Sequence, residues 1–117
     1  MIPTRSTSPD RGIPTGSNRE SETERRDVLA AVDATRGGDR DAFNQIVGRY
    51  QRRLFGLTLM MVRQPTAAEE VTQDAFIRAF TFLDRYDADR PFYPWLAAIA
   101  VRLAQSWLRR RGSWRTR

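Results

Sequence analysis

A chain of 117 residues is long enough for one small domain, and this one carries no cysteine and no histidine. That composition excludes disulfides, Cys/His zinc sites and imidazole acid–base chemistry. The net charge of +6 is unevenly placed: Met1 to Ala100 holds fourteen Arg against fourteen acids, whereas Val101 to Arg117 holds six Arg and no acid.

A basic end of this kind points to a polyanion, nucleic acid first and acidic lipid second. No apolar run is long enough to cross a bilayer, and the N-terminus lacks the apolar core of a signal peptide. The missing cysteines fit a reducing compartment, so a cytoplasmic location is expected.

Met1 to Ser21 is rich in Ser, Thr, Pro, Gly and Arg, which predicts a disordered tail over 1–21. Ser21 and Glu24 have capping-box spacing. A short helix follows through Val28, Leu29, Ala31 and Val32 and ends at Gly37-Gly38. Asp39 or Asp41 is expected to cap the next helix. There, Phe43, Ile46, Val47, Tyr50, Leu54, Leu57 and Met61 recur at three- and four-residue steps and form one core stripe. Around Phe55, Leu59 and Met60 the apolar surface widens, which predicts cover on more than one side. Gly48 and Gly56 cost helix propensity, and close approach of another helix is the expected reason. Pro65 ends this helix.

Thr66 and Glu69 repeat the capping-box spacing and predict a helix to about Asp84. Its core stripe reads Ala68, Val71, Ala75, Ala79 and Phe82. Its other side carries Glu70, Gln73, Asp74, Ile77 and Phe80. Two readings fit that mixture. An apolar centre rimmed by polar groups suits a protein-binding surface. Alternatively, Ile77 and Phe80 pack on another helix of the same domain.

Asp84 to Tyr93 reads as a loop holding Arg85, Tyr86, Arg90, Phe92 and Tyr93, punctuated by Pro91. Its aromatics form either a hydrophobic plug or, with the arginines, a stacking platform for unpaired bases. Asp87 and Asp89 repel a phosphate backbone and suit contacts to base edges. Pro94 then fits the first turn of the last helix, and no breaker follows until Gly112. At about 100° per residue, Trp95, Arg102, Gln105, Ser106 and Arg109 share one side. Leu96, Ala100, Leu103, Ala104 and Trp107 share the other, which requires a core. The first side is either a solvated charged face with Trp95 partly in the core, or a nucleic-acid face. Guanidinium and amide groups make paired hydrogen bonds to phosphates and base edges.

The elements add up to an all-α fold, a small bundle of three to four main helices with an aromatic loop before the last. The domain is expected over 22–112, with 113–117 as a basic linker start. No nucleophile–base pair, phosphate loop or metal constellation is visible, so neither enzyme activity nor a cofactor nor a metal is expected.

Four segments carry a resemblance: GDRDAFNQIVGRYQRRLFGLTL, AAEEVTQDAFIRAF, FYPWL followed by IA, and WLRRR. In this order and spacing they resemble the second domain of bacterial sigma factors, in the extracytoplasmic-function branch of the sigma-70 family. The resemblance covers about Gly38 to Arg111. It implies that the acidic helix docks on the clamp helices of the large subunit of core RNA polymerase. Glu70, Gln73 and Asp74 match that contact, with Ile77 and Phe80 on the same mixed face. It also implies that the aromatic loop and last helix recognise and open the promoter −10 element and hold a flipped non-template base. Arg85, Tyr86, Arg90, Phe92, Tyr93 and Trp95 lie in that segment. Arg102, Gln105, Ser106, Arg109 and Arg110 lie on the following helix.

Arg102 stands where the family usually has Asn, and Ser106 where it usually has Asp, so this face is the more cationic. The branch also carries a second, helix-turn-helix domain that reads the −35 element. No such region follows here, and an isolated domain is expected. The rival reading is a protein-interaction module held by an anti-sigma factor, a partner common in this branch. A membrane-surface helix is disfavoured by the core helices and aromatic loop upstream, and no membrane partner is expected.

Overall fold

A computed structural model describes residues 21–115, and most of the tail expected over 1–21 lies outside the described residues. Four helices make up the fold: α1 (Glu22–Arg36), α2 (Phe43–Val62), α3 (Pro65–Thr81) and α4 (Phe92–Arg115). One-turn 3-10 segments at Arg40–Ala42 and Leu83–Arg85 join α1 to α2 and lead out of α3. No strand occurs among the described residues, so the molecule is all-α as its periodicities predict.

Helix α1 begins at the expected capping box. The Ser21 hydroxyl accepts from the Glu24 N–H at 3.1 Å, and the Glu24 carboxylate accepts from the Ser21 N–H at 2.9 Å. These bonds satisfy donors that the first helical turn would otherwise leave orphaned. The Ser21 N–H, with help from its hydroxyl, Arg49 and Arg53, outweighs the opposing effect of burial and holds the Glu24 carboxyl below its ordinary value. The helix stops at Gly37, and Gly38 takes a φ of 111°, a left-handed conformation that favours glycine.

Three expected caps are corrected. Neither Asp39 nor Asp41 caps α2: Asp39 precedes a 3-10 turn without a side-chain bond, and Ala42 occupies the N-cap of α2. Thr66 does not open α3. Gln64 is the N-cap and Pro65 the first helical residue, where a missing N–H costs nothing. Pro65 therefore starts one helix as well as closing the last. Between them Arg63 holds a left-handed φ of 61° as the C-cap of α2.

The main core runs through all four helices. Val28, Ala31 and Val32 of α1 meet Phe43, Ile46, Tyr50 and Leu54 of α2, Ala75, Phe76 and Ala79 of α3, and Phe92, Leu96 and Ala100 of α4. A smaller cluster of Val62, Ala67, Ala68, Val71 and Ala104 closes the opposite end, flanked by Phe55, Leu59, Met61, Leu103 and Trp107. The residues α3 and α4 bury deepest are largely alanines: Ala68, Ala75, Ala79, Ala100 and Ala104 are all fully buried. Small side chains at a contact shorten the distance between helix axes. Two buried threonines tie α2 to α3. Thr72 donates to the Ala68 carbonyl at 2.7 Å, and its hydroxyl lies 2.8 Å from that of Thr58. Both polar groups are thereby satisfied inside the core.

Several burial expectations also change. Met60 is 77% exposed, so the widened apolar surface at that end of α2 is covered only at Phe55 and Leu59. Phe82 leaves the core stripe because α3 ends at Thr81 and the chain turns there. A side chain placed at Gly48 or Gly56 would meet nothing within 4 Å, so neither glycine serves close helix packing. Gly112 does not stop α4, which continues to Arg115. A lone glycine costs a helix only about 1 kcal/mol, and no proline follows to end it.

Gly56→Ala should stabilise the fold by about 0.5–1 kcal/mol, because the residue is helical, exposed and sterically free. Thermal unfolding would show a rise of a few degrees, and a fall would mean that an unseen contact needs the glycine. The Glu24 cap should depend on pH in one direction. A depressed folded-state pKa stabilises above the unfolded value and is lost as pH falls through the folded one. In an NMR titration Glu24 should titrate below 4.5, with the Ser21 and Glu24 amides shifting in step; titration at or above that value would refute the box in solution.

Candidate nucleic-acid interface

Helix α4 positions the basic face through an aromatic joint at its first turn. Phe92 is 1% exposed, and its ring lies 5.8 Å from Tyr50 of α2 in a stacked arrangement. It meets Tyr86 edge-on at 5.0 Å and Trp95 at 5.6 Å. Tyr86 is buried too, and its hydroxyl donates to the Arg90 carbonyl, closing the loop on itself. For these two residues the plug reading holds and the stacking-platform reading is corrected. A ring cannot receive a base while both of its faces are packed. Phe92 and Tyr93 also lie in the first turn of α4 rather than in the loop, which ends at Pro91.

Tyr93 and Trp95 sit at the rim of this joint and are half-buried. Tyr93 packs 5.4 Å from Tyr50 and carries the Arg53 guanidinium over its ring at 3.8 Å. Burial pushes the Tyr93 phenol up from its ordinary pKa, although the Arg53 charge opposes the shift. Trp95 lies 5.4 Å from Tyr86 and turns its remaining surface into a cavity between α3 and α4.

That cavity, about 260 Å³ in volume, is lined by Arg78, Phe82, Arg85, Trp95, Ile99, Arg102 and Leu103. Three guanidinium groups and two aromatic rings share it, and no acid does. The Arg85 guanidinium stands 4.7 Å from the centre of the Phe82 ring. A site so composed suits a phosphate beside a planar base: the arginines supply paired donors, and the rings supply stacking surface. Of the residues expected from sequence, Arg85, Trp95 and Arg102 converge here. Arg78, Phe82 and Ile99 were missed. The Arg78 and Phe82 spacing of four residues at the end of α3 was a usable sign, but Phe82 matched the core stripe better.

The remaining expected residues lie outside the cavity. Arg90 is exposed in the loop, 3.6 Å from the Asp87 carboxylate. The Asp87 carboxylate also accepts the Asp89 N–H at 2.9 Å, so both acids shape the turn. Gln105, Arg109 and Arg110 are exposed farther along α4, and Arg109 donates to the half-buried Ser106 hydroxyl at 3.1 Å. Arg111 is held back instead. Its guanidinium lies 5.2 Å from the Trp107 ring centre, and with the Gln64 amide turned to accept, it reaches that oxygen at 2.7 Å.

The mixed face of α3 divides. Glu70, Gln73 and Asp74 are exposed, and Ile77 is 62% exposed among them. Phe80 instead packs edge-on against Phe43 at 5.4 Å with the Arg40 guanidinium 5.7 Å from its ring centre. The internal reading is therefore right for Phe80 and not for Ile77. Beside this face a groove of about 390 Å³ runs between α2 and α3, lined by Gly48, Gln51, Arg52, Phe55, Glu69, Thr72 and Gln73. Among the described residues, no cluster of three acids could hold a metal, and no helix is long and apolar enough to cross a membrane.

Comparison with known proteins places these features in a family. The family described as Sigma-70 region 2 matches residues 46–113. The chain is 37% identical over 81 residues to the RNA polymerase sigma-H factor of Pseudomonas aeruginosa, covering 69% of this chain and 42% of that protein. It is 35% identical over 84 residues to the ECF RNA polymerase sigma factor SigW of Bacillus subtilis, covering 72% and 45%. The ECF RNA polymerase sigma-E factor of Escherichia coli is 39% identical over 77 residues, covering 66% and 40%. The chain thus spans less than half the length of these relatives. An engineered region 2 of sigmaE, solved by NMR in complex with GTAAAA, superposes with a TM-score of 0.68 at 36% identity, covering 80% of this chain and 95% of that one. The chain belongs to the sigma-70 region 2 family, on its extracytoplasmic-function branch.

Proposed function

We propose that this domain binds core RNA polymerase and recognises and melts the promoter −10 element, capturing bases of the non-template strand. The observation that supports this most directly is the acid-free cavity of Arg78, Phe82, Arg85, Trp95 and Arg102. The similar sigmaE domain was solved in complex with GTAAAA.

Energetics favour a capture mechanism. Unstacking a base step costs a few kcal/mol. Stacking a freed base on an aromatic ring returns about 1–3 kcal/mol. One or two bases held at Trp95 and Phe82 therefore offset the opening of a step. Arg78, Arg85 and Arg102 hold the adjoining phosphates, while Gln105, Arg109 and Arg110 extend the cationic track along α4. Tyr86 and Phe92 act from within the core by fixing where Trp95 stands.

The exposed side of α3 takes the second role. Ile77 within Glu70, Gln73 and Asp74 is an apolar centre in a polar rim, suited to a helical partner. The clamp helices of the large polymerase subunit are the proposed occupant. The same surface is available to an anti-sigma factor, whose binding would exclude polymerase. A cytoplasmic location goes with this proposed action on DNA at polymerase.

Arg102→Ala should weaken binding to a GTAAAA oligonucleotide. It should also reduce the slope of log affinity against log salt by about 0.7, the share of one single-strand phosphate. An unaltered slope would remove Arg102 from the strand path. Asp74→Arg should lower affinity for core polymerase by about tenfold, while its melting stays within about 0.5 kcal/mol, as for other surface changes. Undiminished capture of core polymerase would reject this face as the docking site.

A further inference from the structure

Helix α1 lies outside the residues matched to the family, yet its arginines hold the segment that carries Arg85. The Arg36 Nη2 donates to the Leu83 carbonyl at 2.8 Å and also to the Tyr86 carbonyl. Those two carbonyls bracket Arg85 in the 3-10 turn Leu83–Arg85. One turn of loop later, the Arg25 Nη2 donates to the Ala88 carbonyl at 3.4 Å. Beneath these ties Val28 and Val32 share the core with Leu83 and Tyr86. A cavity of about 360 Å³ opens at the rim, lined by Leu29, Ala30, Val32, Asp33, Arg36 and Ala88. Polar ties therefore add to apolar packing in joining this helix to the loop.

The chemistry of the tie is specific. The Leu83 carbonyl already accepts the Tyr86 N–H at 3.1 Å within the turn, so Arg36 fills its second lone pair and adds a charge-assisted donor at the Tyr86 carbonyl. A planar guanidinium can serve two such carbonyls at once, which an ammonium does with less geometric control. Arg36 also stands in the last turn of α1, where the helix dipole favours a cation. Its guanidinium carbon is 5.9 Å from the centre of the buried Tyr86 ring, so it is braced from the core side as well. Arg85 meanwhile forms one wall of the cationic cavity, over Phe82.

The geometry points to Arg36 as a positioning residue: by gripping the carbonyls of Leu83 and Tyr86 it sets Arg85 at the mouth of the cavity, and so governs strand capture from outside the family-matched segment. This rests on the strand-capture reading above. Without the tie the turn can hinge, and Arg85 leaves the Phe82 ring and the path of the strand. Polymerase docking uses the far side of α3 and is independent of it.

The test is a double-mutant cycle in the 117-residue chain, with Arg36→Met, Arg85→Ala and the pair. The readouts are affinity for a GTAAAA oligonucleotide, affinity for core polymerase, and amide hydrogen exchange. Arg36→Met should lose about tenfold in oligonucleotide affinity, the scale of a charge-assisted bond, and keep polymerase affinity within about twofold. The amides of Arg85 and Tyr86 should exchange faster while those of Leu54 and Ala75 do not. The pair should lose no more than Arg85→Ala alone, since Arg36 acts through Arg85. Additive losses, or equal losses for oligonucleotide and polymerase, would overturn the inference. Should Arg36→Met fail to fold, Arg36→Lys enters the same cycle and is judged by the same additivity. If Arg85→Ala and Arg102→Ala both bind the oligonucleotide normally, the strand-capture reading itself has failed, which is a separate outcome.

Discussion

The contact on which the site depends is the packing of Phe92 against Tyr50. It is a core interaction, and it decides where a surface feature lies. Phe92 occupies the first turn of α4 and stacks on a residue halfway along α2. The start of the basic helix is thereby fixed relative to the bundle. Tyr86 packs edge-on against the same ring and brings the loop with it. Trp95, one turn on, has no choice of position once Phe92 and Tyr86 are seated. Two rings that look available for stacking in the sequence, Tyr86 and Phe92, are buried in the joint, and the half-exposed Trp95 beside them faces the cavity.

Helix α3 shows how a short element can serve two surfaces. Its alanines are buried to 0% exposure at three positions, which keeps the inner face narrow. The outer face is then wide enough to hold separate chemistries. Ile77 points away with the acids, while Arg78, its neighbour, turns toward α4 and the cavity. A step of about 100° per residue separates an acidic, partly apolar surface from a cationic, aromatic one. The acids thus lie on one face and the arginines of the cavity on the next.

Much of this was legible in the chain. The capping box at Ser21 and the stripe from Phe43 to Leu54 are local patterns with one physical solution, and both appear as read. The amphipathic split of α4 was legible for the same reason: Leu96, Ala100 and Ala104 are buried, and Arg102 and Gln105 are exposed. The caps at Asp39, Asp41 and Thr66 were not, because several polar residues near a helix start compete and tertiary packing picks the winner. Phe82 fits the core stripe of α3 and Phe92 reads as a loop residue, a plug or a platform; only the points where α3 stops and α4 starts decide which ring the core receives. The cavity was illegible as a unit, since its arginines come from α3, a 3-10 turn and α4. The support of Arg85 by Arg36 joins residues far apart in sequence through backbone carbonyls, which no side-chain pattern announces.

Helix α4 runs unbroken from Phe92 to Arg115, straight through Gly112. Trp95 and Arg109 therefore ride on one stiff rod, separated by about 21 Å at 1.5 Å of rise per residue. Anchored at the aromatic end, the helix holds its distal arginines at a fixed distance from Trp95, as a ruler does.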